Sequence, residues 1–227
     1  MTSASVFAHQ LSELLDLAHP PVAVTFDEEP ATGDTEPIPP QPSGCCFWAP
    51  AEHRRFDTQP SDHANCSIGS YIHGLIDLND AATGDDTAAL VGSGWIGEKD
   101  LHAAPHLPMR SASIRYEPLA KATDPDVVLI RLSPGSLMTL QGACPELQLA
   151  TKPQCQIVPL AYSGRITVSP GCAVSRVRAG LPPGELTCAL PTSALPTVIE
   201  RLRLSVAADH AVTDYAITDS QRFDTLI

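Results

Sequence analysis

Basic residues are scarce in this sequence of 227 residues. There are 14 Lys and Arg against 26 Asp and Glu, which gives a net charge of −12. An acidic surface repels the phosphate backbone of nucleic acids and the headgroups of anionic lipids. Since no basic cluster offsets this repulsion, we expect neither nucleic acid nor a membrane as a partner.

Long apolar segments are lacking as well. No run approaches the roughly 20 apolar residues that span a bilayer. The start of the chain, MTSASVFAHQLSELLDLAHPP, has neither the basic region nor the apolar core of a signal peptide. We therefore expect a cytoplasmic protein. Because disulfides are rare there, its seven cysteines should be thiols, metal ligands or core side chains.

The familiar catalytic motifs are also missing. The sequence has no Gly-x-Ser-x-Gly, no Walker loop and no His-Glu-x-x-His. Gly92, Gly94 and Gly97 have the spacing of a dinucleotide fingerprint, but that motif needs a sound helix after it. Pro105 and Pro108 interrupt the segment that follows. We interpret the glycines as a turn.

Apolar periodicity predicts a mixture of helices and strands. Helices are expected at residues 5–18, 66–78, 134–143 and 195–212, with a short one near 45–56. Strands are expected at 21–26, 111–119, 126–132 and 156–164, and a strand or a turn at 165–171. This alternation predicts a single α/β domain over residues 1–227, with a mixed sheet flanked by helices and α+β as the variant. Residues 27–44 form an acidic, proline-rich loop. Residues 20–30 and 66–75 resemble residues 125–134 and 172–181, in that order, which suggests two similar halves.

The cysteines are the most informative residues that the chain does contain. They lie at positions 45, 46, 66, 144, 155, 172 and 188, and none has the spacing of a zinc clip or of covalent haem attachment. Cys45 or Cys46, Cys66 and Cys172 follow or adjoin small residues at expected junctions, where backbone amides can point at sulfur. The alternative is that most are small buried side chains.

Five segments together resemble a known family. They are LLDLAHPPVAVTF, GCCFWAPA, HANCSIGSYIHGL, PDVVLIRLSPGSLMTL and QCQIVPLAYSGRITVSPGCAVSRVRAGLPPGEL, in this order over about residues 10 to 190. The chain is similar in these segments to the domain-of-unknown-function family 169 of bacteria and archaea. The resemblance implies a cysteine-rich cytoplasmic α/β protein, with cysteines at the positions of Cys45 or Cys46, Cys66, Cys155 and Cys172.

A shared site of distant cysteines in a reducing compartment suits an iron–sulfur cluster or zinc. Our first hypothesis is therefore an iron–sulfur enzyme with reductive or lyase-type chemistry, that is, an oxidoreductase or a lyase. Cys46 or Cys45, Cys66 and Cys172 would hold a [4Fe–4S] cluster, and Cys155 would be a fourth ligand or a thiol beside it. Three thiolates would leave one iron open to substrate.

Further residues have expected roles around this site. Trp48 with Phe47 would shield the cluster, and His63 would be the general acid or base. An anionic small-molecule substrate would meet a group of arginines: Arg54, Arg55, Arg176 and Arg178. The second hypothesis is a non-catalytic haem, zinc or iron sensor or carrier, for which the dipeptide Cys144-Pro145 is a weak haem-type signal. The sequence leaves a redox partner and a homo-oligomer open.

Overall fold

A computed structural model describes residues 3–31 and 37–224. Its strands are β1 (Val22–Asp27), β2 (Phe56–Thr58), β3 (Ser113–Pro118), β4 (Val127–Leu132), β5 (Gln148–Leu149), β6 (Thr167–Ser169) and β7 (Leu186–Pro191). Its α-helices are α1 (Ser3–Leu14), α2 (Ser67–Ile72), α3 (Leu78–Thr83), α4 (Asp85–Gly92), α5 (Glu98–Ala103), α6 (Pro134–Ala143), α7 (Ile157–Tyr162), α8 (Ala173–Arg178) and α9 (Leu195–Asp224).

The seven strands form one mixed sheet in the order β2-β3-β1-β4-β7-β6-β5. β1 lies near the centre and pairs antiparallel with both β3 and β4. β5 and β6 are a parallel pair, whereas the other neighbours are antiparallel. The expected mixed α/β fold with one sheet and flanking helices is confirmed.

The two faces of the sheet carry separate apolar clusters, because successive side chains of a strand point to opposite faces. On one face, Ala23, Val128 and Ile130 pack with α1, α6 and α9. On the other face, Val24, Leu129 and their neighbours pack with the aromatic side chains of the 44–58 region and with α7. A third cluster joins α2 to α4 and α5 and includes Cys155.

Several elements match the expectation closely. The strand predicted at 21–26 is β1, and the helix at 134–143 is α6 with Pro134 as its first residue. The helix predicted at 5–18 is α1, which begins at Ser3 and ends at Leu14, before the predicted end. Proline suits that place because its missing N–H has no intrahelical acceptor there. The strands expected at 111–119 and 126–132 are β3 and β4, and the strand or turn expected at 165–171 is β6.

The expected strand at 156–164 is wrong, since this segment is helix α7 after a 3₁₀ turn at Gln154–Gln156. A short, continuous apolar run fits a buried strand and a buried helix equally well. Pro159 lies in the first turn of α7, where a missing N–H costs little.

The helix expected at 66–78 is broken. α2 ends at Ile72, and a new helix begins only at Leu78. Gly74 lies in the break with φ of 70°, a left-handed conformation that favours glycine. A Cβ at this position would lie 2.4 Å from the carbonyl oxygen of Met109.

The glycine-rich stretch is a turn, as expected. α4 ends at Gly92, Gly94 has φ of 71°, and the six-residue α5 begins at Glu98. The short helix near 45–56 is a pair of 3₁₀ turns, Gly44–Phe47 and Pro50–Glu52, followed by β2. Helices α3, α4, α5 and α8 and strand β7 were not predicted, and α9 continues beyond the expected end at 212.

Of the 27–44 loop, Asp27 ends β1 and Gly44 begins a 3₁₀ turn, whereas residues 28–31 and 37–43 contain no helix or strand. The expectation for 32–36 lies outside the described residues. Among the described residues, no helix has the length and apolarity required to traverse a lipid bilayer. Each echoing part of the sequence contains a strand and a short helix, β1 with α2 and β4 with α8, and no observation shows that they form two similar halves. β1 and β4 are antiparallel neighbours, and α2 and α8 each follow a cysteine at the N-cap.

Candidate functional site

Four cysteines from distant parts of the chain line one cavity. Cys45, Cys66, Cys155 and Cys172 are in its wall, and its volume is about 30 Å³. The fold therefore brings together the set of positions expected to share a site.

Each of these cysteines lies at the start of a helical turn. Cys66 is the N-cap of α2 and Cys172 the N-cap of α8. Cys45 and Cys155 lie inside 3₁₀ turns that precede further helical segments. Backbone N–H groups without a helical acceptor are available in such places.

Some of these amides point at sulfur. Ser175 N donates to Cys172 Sγ at 3.4 Å, and the amides of Gly69 and Gly44 favour the charged form of Cys66. Gly69 also makes room, because a Cβ there would lie 2.9 Å from Cys66 Sγ. Hydrogen bonds of this kind stabilise a thiolate.

The structure distinguishes the two adjacent cysteines. Cys45 is in the wall of the cavity, whereas Cys46 is not among the described residues that line it. The hydroxyl of Ser43 lies 3.2 Å from Cys45 Sγ and 3.1 Å from Cys46 Sγ. A hydrogen bond from the Cys45 thiol lowers the pKa of Cys46 to about 6, and the same contact holds the pKa of Cys45 well above its usual value.

Burial favours the protonated form of two of these thiols, those of Cys66 and Cys155. It raises the pKa of Cys66, and it raises the pKa of Cys155 strongly, with further increases from the nearby Cys66 and Cys172. A metal that binds here would release these protons.

The rest of the wall is mainly apolar. Ile68, Leu90, Trp95 and Val174 contribute to it. Arg178 is the one Lys, Arg, Asp or Glu among the described residues of the wall. Its Nη1 donates to the carbonyl oxygens of Pro42 at 2.7 Å and Asn65 at 3.2 Å. Arg178 therefore ties together the loops that carry Cys45 and Cys66 and brings one positive charge to the thiols.

The comparisons with known proteins agree with the resemblance seen in the sequence. The model of the domain-of-unknown-function family 169, described as "Uncharacterised ArCR", matches residues 10–201. The chain belongs to this family. No curated protein and no solved structure shows significant similarity to it. Membership in this family assigns no reaction to the protein.

His63 and Trp48 lie away from the cysteine cavity. His63 is fully buried, its Nε2 lies 2.9 Å from Thr58 Oγ1, and its ring packs on Phe47 with 4.7 Å between centroids. Burial lowers the pKa of His63 to about 3. Trp48 lines a neighbouring cavity instead. The large apolar side chains in the wall of the cysteine cavity are those of Trp95, Leu90 and Ile68, and neither Trp48 nor Phe47 lines it.

Three of the four candidate arginines are engaged elsewhere. Arg176 donates to several backbone carbonyls, including that of Pro182 at 2.7 Å. Arg55 lies 4.0 Å from the carboxylate of Glu117, and the guanidinium of Arg54 lies 5.7 Å from the ring centroid of Phe56. Arg178 alone of the four faces the cysteine cavity.

Cys144 and Cys188 are core side chains. Both are fully buried in the cluster between the sheet and helices α1, α6 and α9. The haem-type dipeptide Cys144-Pro145 therefore lies outside the cysteine cavity. Cys144 and Cys188 are therefore small buried side chains of the core, as the alternative interpretation of the cysteines proposed.

Sequence reasoning missed several residues of the site. Ser43 hydrogen-bonds both adjacent thiols, Gln154 lies beside Cys155 in the wall, and Trp95 covers the cavity from the turn between α4 and α5. Ser43 could have been found from the sequence, since small residues flank the cysteines. Trp95 could not, because its position depends on tertiary packing alone. Within the described ranges, no three His, Cys, Asp or Glu side chains are arranged so that they could hold a single metal ion.

Proposed function

We propose that the protein binds a [4Fe–4S] cluster in the cysteine cavity and acts on a small molecule there. The observation that carries the proposal is the convergence of Cys45, Cys66, Cys155 and Cys172 on one cavity from four separate segments. Thiolates are the ligands that iron–sulfur clusters take in proteins.

The chemistry of the wall supports this choice of cofactor. No carboxylate or imidazole is among the described residues that line the cavity, so sulfur is the available ligand. Iron–sulfur clusters separate their thiolate ligands more widely than a single ion does, which is compatible with cysteines that are not arranged for one ion. The amide of Ser175 and the charge of Arg178 would offset the negative charge of the thiolates.

Cys155 has a distinct position within the set. It is electrostatically coupled to Cys45, Cys66 and Cys172. We propose Cys45, Cys66 and Cys172 as ligands and Cys155 as either the fourth ligand or a thiol that faces the substrate. A Cys155→Ala variant separates these cases, because loss of the cluster assigns it as a ligand, and a retained cluster assigns it to the substrate side.

An iron with an open coordination position supplies Lewis-acid or one-electron chemistry. We propose reductive or lyase-type chemistry on a small anionic molecule, which Arg178 would attract. Reductive chemistry would need a redox partner, and the reducing cytoplasm would keep the thiols available. His63 is a poor candidate for the proton donor, because it is buried behind the wall and its pKa is low.

Anaerobic purification followed by absorption and paramagnetic resonance spectroscopy tests the cofactor. A broad band near about 400 nm that bleaches on reduction or on exposure to air would agree with a cluster. A sharp Soret band would indicate haem, and a colourless protein with bound zinc would indicate the alternative carrier or sensor. Either of these results would remove the iron–sulfur proposal.

A further inference from the structure

A second cavity adjoins the cysteine cavity and measures about 40 Å³. The two cavities share Cys45 and Gln154 in their walls. The second one is completed by Trp48, Thr187, the charged pair of Glu52 and Arg131, and apolar side chains that include Leu129. Its place next to Cys45 makes it a candidate binding site for a small molecule.

Two polar atoms of this wall have no hydrogen-bond partner. Trp48 Nε1 and Gln154 Oε1 are both buried and unpaired, although Gln154 Nε2 donates to Thr187 Oγ1 at 2.9 Å. An unpaired buried donor or acceptor costs about 1–3 kcal/mol, so native proteins contain few without a reason. The cavity therefore offers a free donor, Trp48 Nε1, and a free acceptor, Gln154 Oε1. A ligand that carries one acceptor and one donor would pair with both.

The charged groups in the wall of this cavity do not favour an anion. Arg131 donates to Glu52 Oε1 at 3.0 Å and to Glu185 Oε2 at 2.7 Å. Since two carboxylates engage this one guanidinium, no uncompensated positive charge remains for a ligand. A negatively charged ligand would also lie close to the buried carboxylate of Glu52 and be repelled by it. An uncharged ligand group fits this setting.

We propose that this cavity binds an uncharged carboxamide or urea group. The carbonyl oxygen of the ligand accepts from Trp48 Nε1, and an N–H of the ligand donates to Gln154 Oε1. The group is then held against Cys45, at the edge of the cysteine cavity. The inference does not depend on the proposed cluster, because its contacts are made by protein side chains alone.

Acetamide and acetate are a matched pair of probes, because they have the same shape and differ in charge and in the N–H group. Indole N–H signals of ¹⁵N-labelled protein report binding, with Trp48→Phe used to assign the Trp48 signal. Acetamide is expected to move the Trp48 signal with saturation and to leave that of Trp95 in place. Acetate is expected to bind at least about tenfold more weakly, since it leaves Gln154 Oε1 facing an acceptor.

Gln154→Met removes the amide, keeps the chain length and retains Trp48 as the reporter. It should weaken acetamide binding about fivefold to tenfold, whereas Gln141→Met on the exposed side of α6 should not change it. The proposal is overturned if acetamide leaves the Trp48 signal unmoved in the native protein. It is also overturned if acetate binds as well as acetamide, or if Gln154→Met binds acetamide like the native protein.

Discussion

At the scale of single residues, the adjacent cysteines have different surroundings. They lie in a 3₁₀ turn, where three residues complete a turn and neighbours point about 120° apart. Cys45 consequently reaches the cavity, while Cys46 is held beside Ser43 with its pKa lowered to about 6. The doubled cysteine is thus one cavity residue and one residue that supports it.

This difference predicts opposite results for two neighbouring substitutions. Cys45→Ala should lose most of the bound iron, because it removes a thiolate from the cavity, whereas Cys46→Ala should keep most of it. Iron and acid-labile sulfide per chain, measured after anaerobic purification, check both. Cys188→Ala, a substitution in the core, is the control for general destabilisation. Equal iron loss in Cys45→Ala and Cys188→Ala would contradict the assignment.

Gly69 gives a test that leaves every cysteine in place. A Cβ at Gly69 would meet Cys66 Sγ at 2.9 Å, so Gly69→Ala should displace this sulfur and lower iron content at least about twofold, as expected for disturbed ligation. At Gly92 a Cβ would have no atom within 4 Å, and Gly92→Ala should leave iron content unchanged. The iron content of the two variants, measured side by side, tests this prediction. Unchanged iron in Gly69→Ala would count against ligation by Cys66.

Two buried histidines make the fold sensitive to acid. Burial lowers the pKa of His63 to about 3 and that of His73 to about 4, whereas in the unfolded chain both are near 6.5. As the pH falls below about 6.5, the unfolded chain binds more protons than the folded one. The free energy of unfolding should therefore fall by about 3–4 kcal/mol between pH 7 and pH 5.

Urea unfolding at several pH values measures this effect. His73→Leu should remove about half of the loss, because it leaves one titrating site of the two. His210→Gln is the control, since His210 is exposed and should not alter the dependence. A His73→Leu protein with the full loss between pH 7 and pH 5 would show that these histidines are not its cause.

At the scale of elements, helix α9 divides into a packed part and an exposed part. Leu195, Val198, Ile199 and Leu202 are buried against the core, whereas the described residues from 211 to 222 are exposed or nearly so. The family match also ends at residue 201. The stability of the fold should therefore depend on the first turns of α9.

Truncation after His210 should accordingly lower the melting temperature by only about 1–3 °C, since little buried surface is lost. The cut keeps Asp209, which accepts from Thr139 Oγ1 at 3.1 Å. Leu202→Ala should cost about 2–5 kcal/mol, because it leaves a cavity in the core. Thermal unfolding of both proteins provides the comparison, and a truncation as damaging as Leu202→Ala would refute this division of α9.

The elements also indicate what the sequence could predict. β1, β4 and α6 have clear periodicity or an N-terminal proline, so local physics determines them. The α7 segment lacks such a signal, because a short apolar run such as IVPLAY fits a buried helix and a buried strand equally well. Its packing neighbours therefore decide that it is helical. α3, α4 and α5 are short and weakly amphipathic, and their positions depend on packing against α2.

At the scale of the whole molecule, most cysteines of the candidate site could be predicted from the sequence, but their arrangement in space could not. Small neighbours and family resemblance identified Cys66, Cys155 and Cys172 from the sequence. The choice of Cys45 over Cys46, the position of Trp95 and the burial of His63 depend on how segments that are distant in sequence pack against one another. Sequence spacing carries no information on such contacts, because the segments are far apart along the chain.

The most direct test of the account is the iron and acid-labile sulfide content of the whole protein, purified without oxygen. The proposal predicts close to four iron and four sulfide per chain, together with absorption that is lost on oxidation. The contrary result is a protein that keeps its fold and its reduced thiols but contains neither iron nor sulfide after reconstitution with both. That result would contradict the proposal.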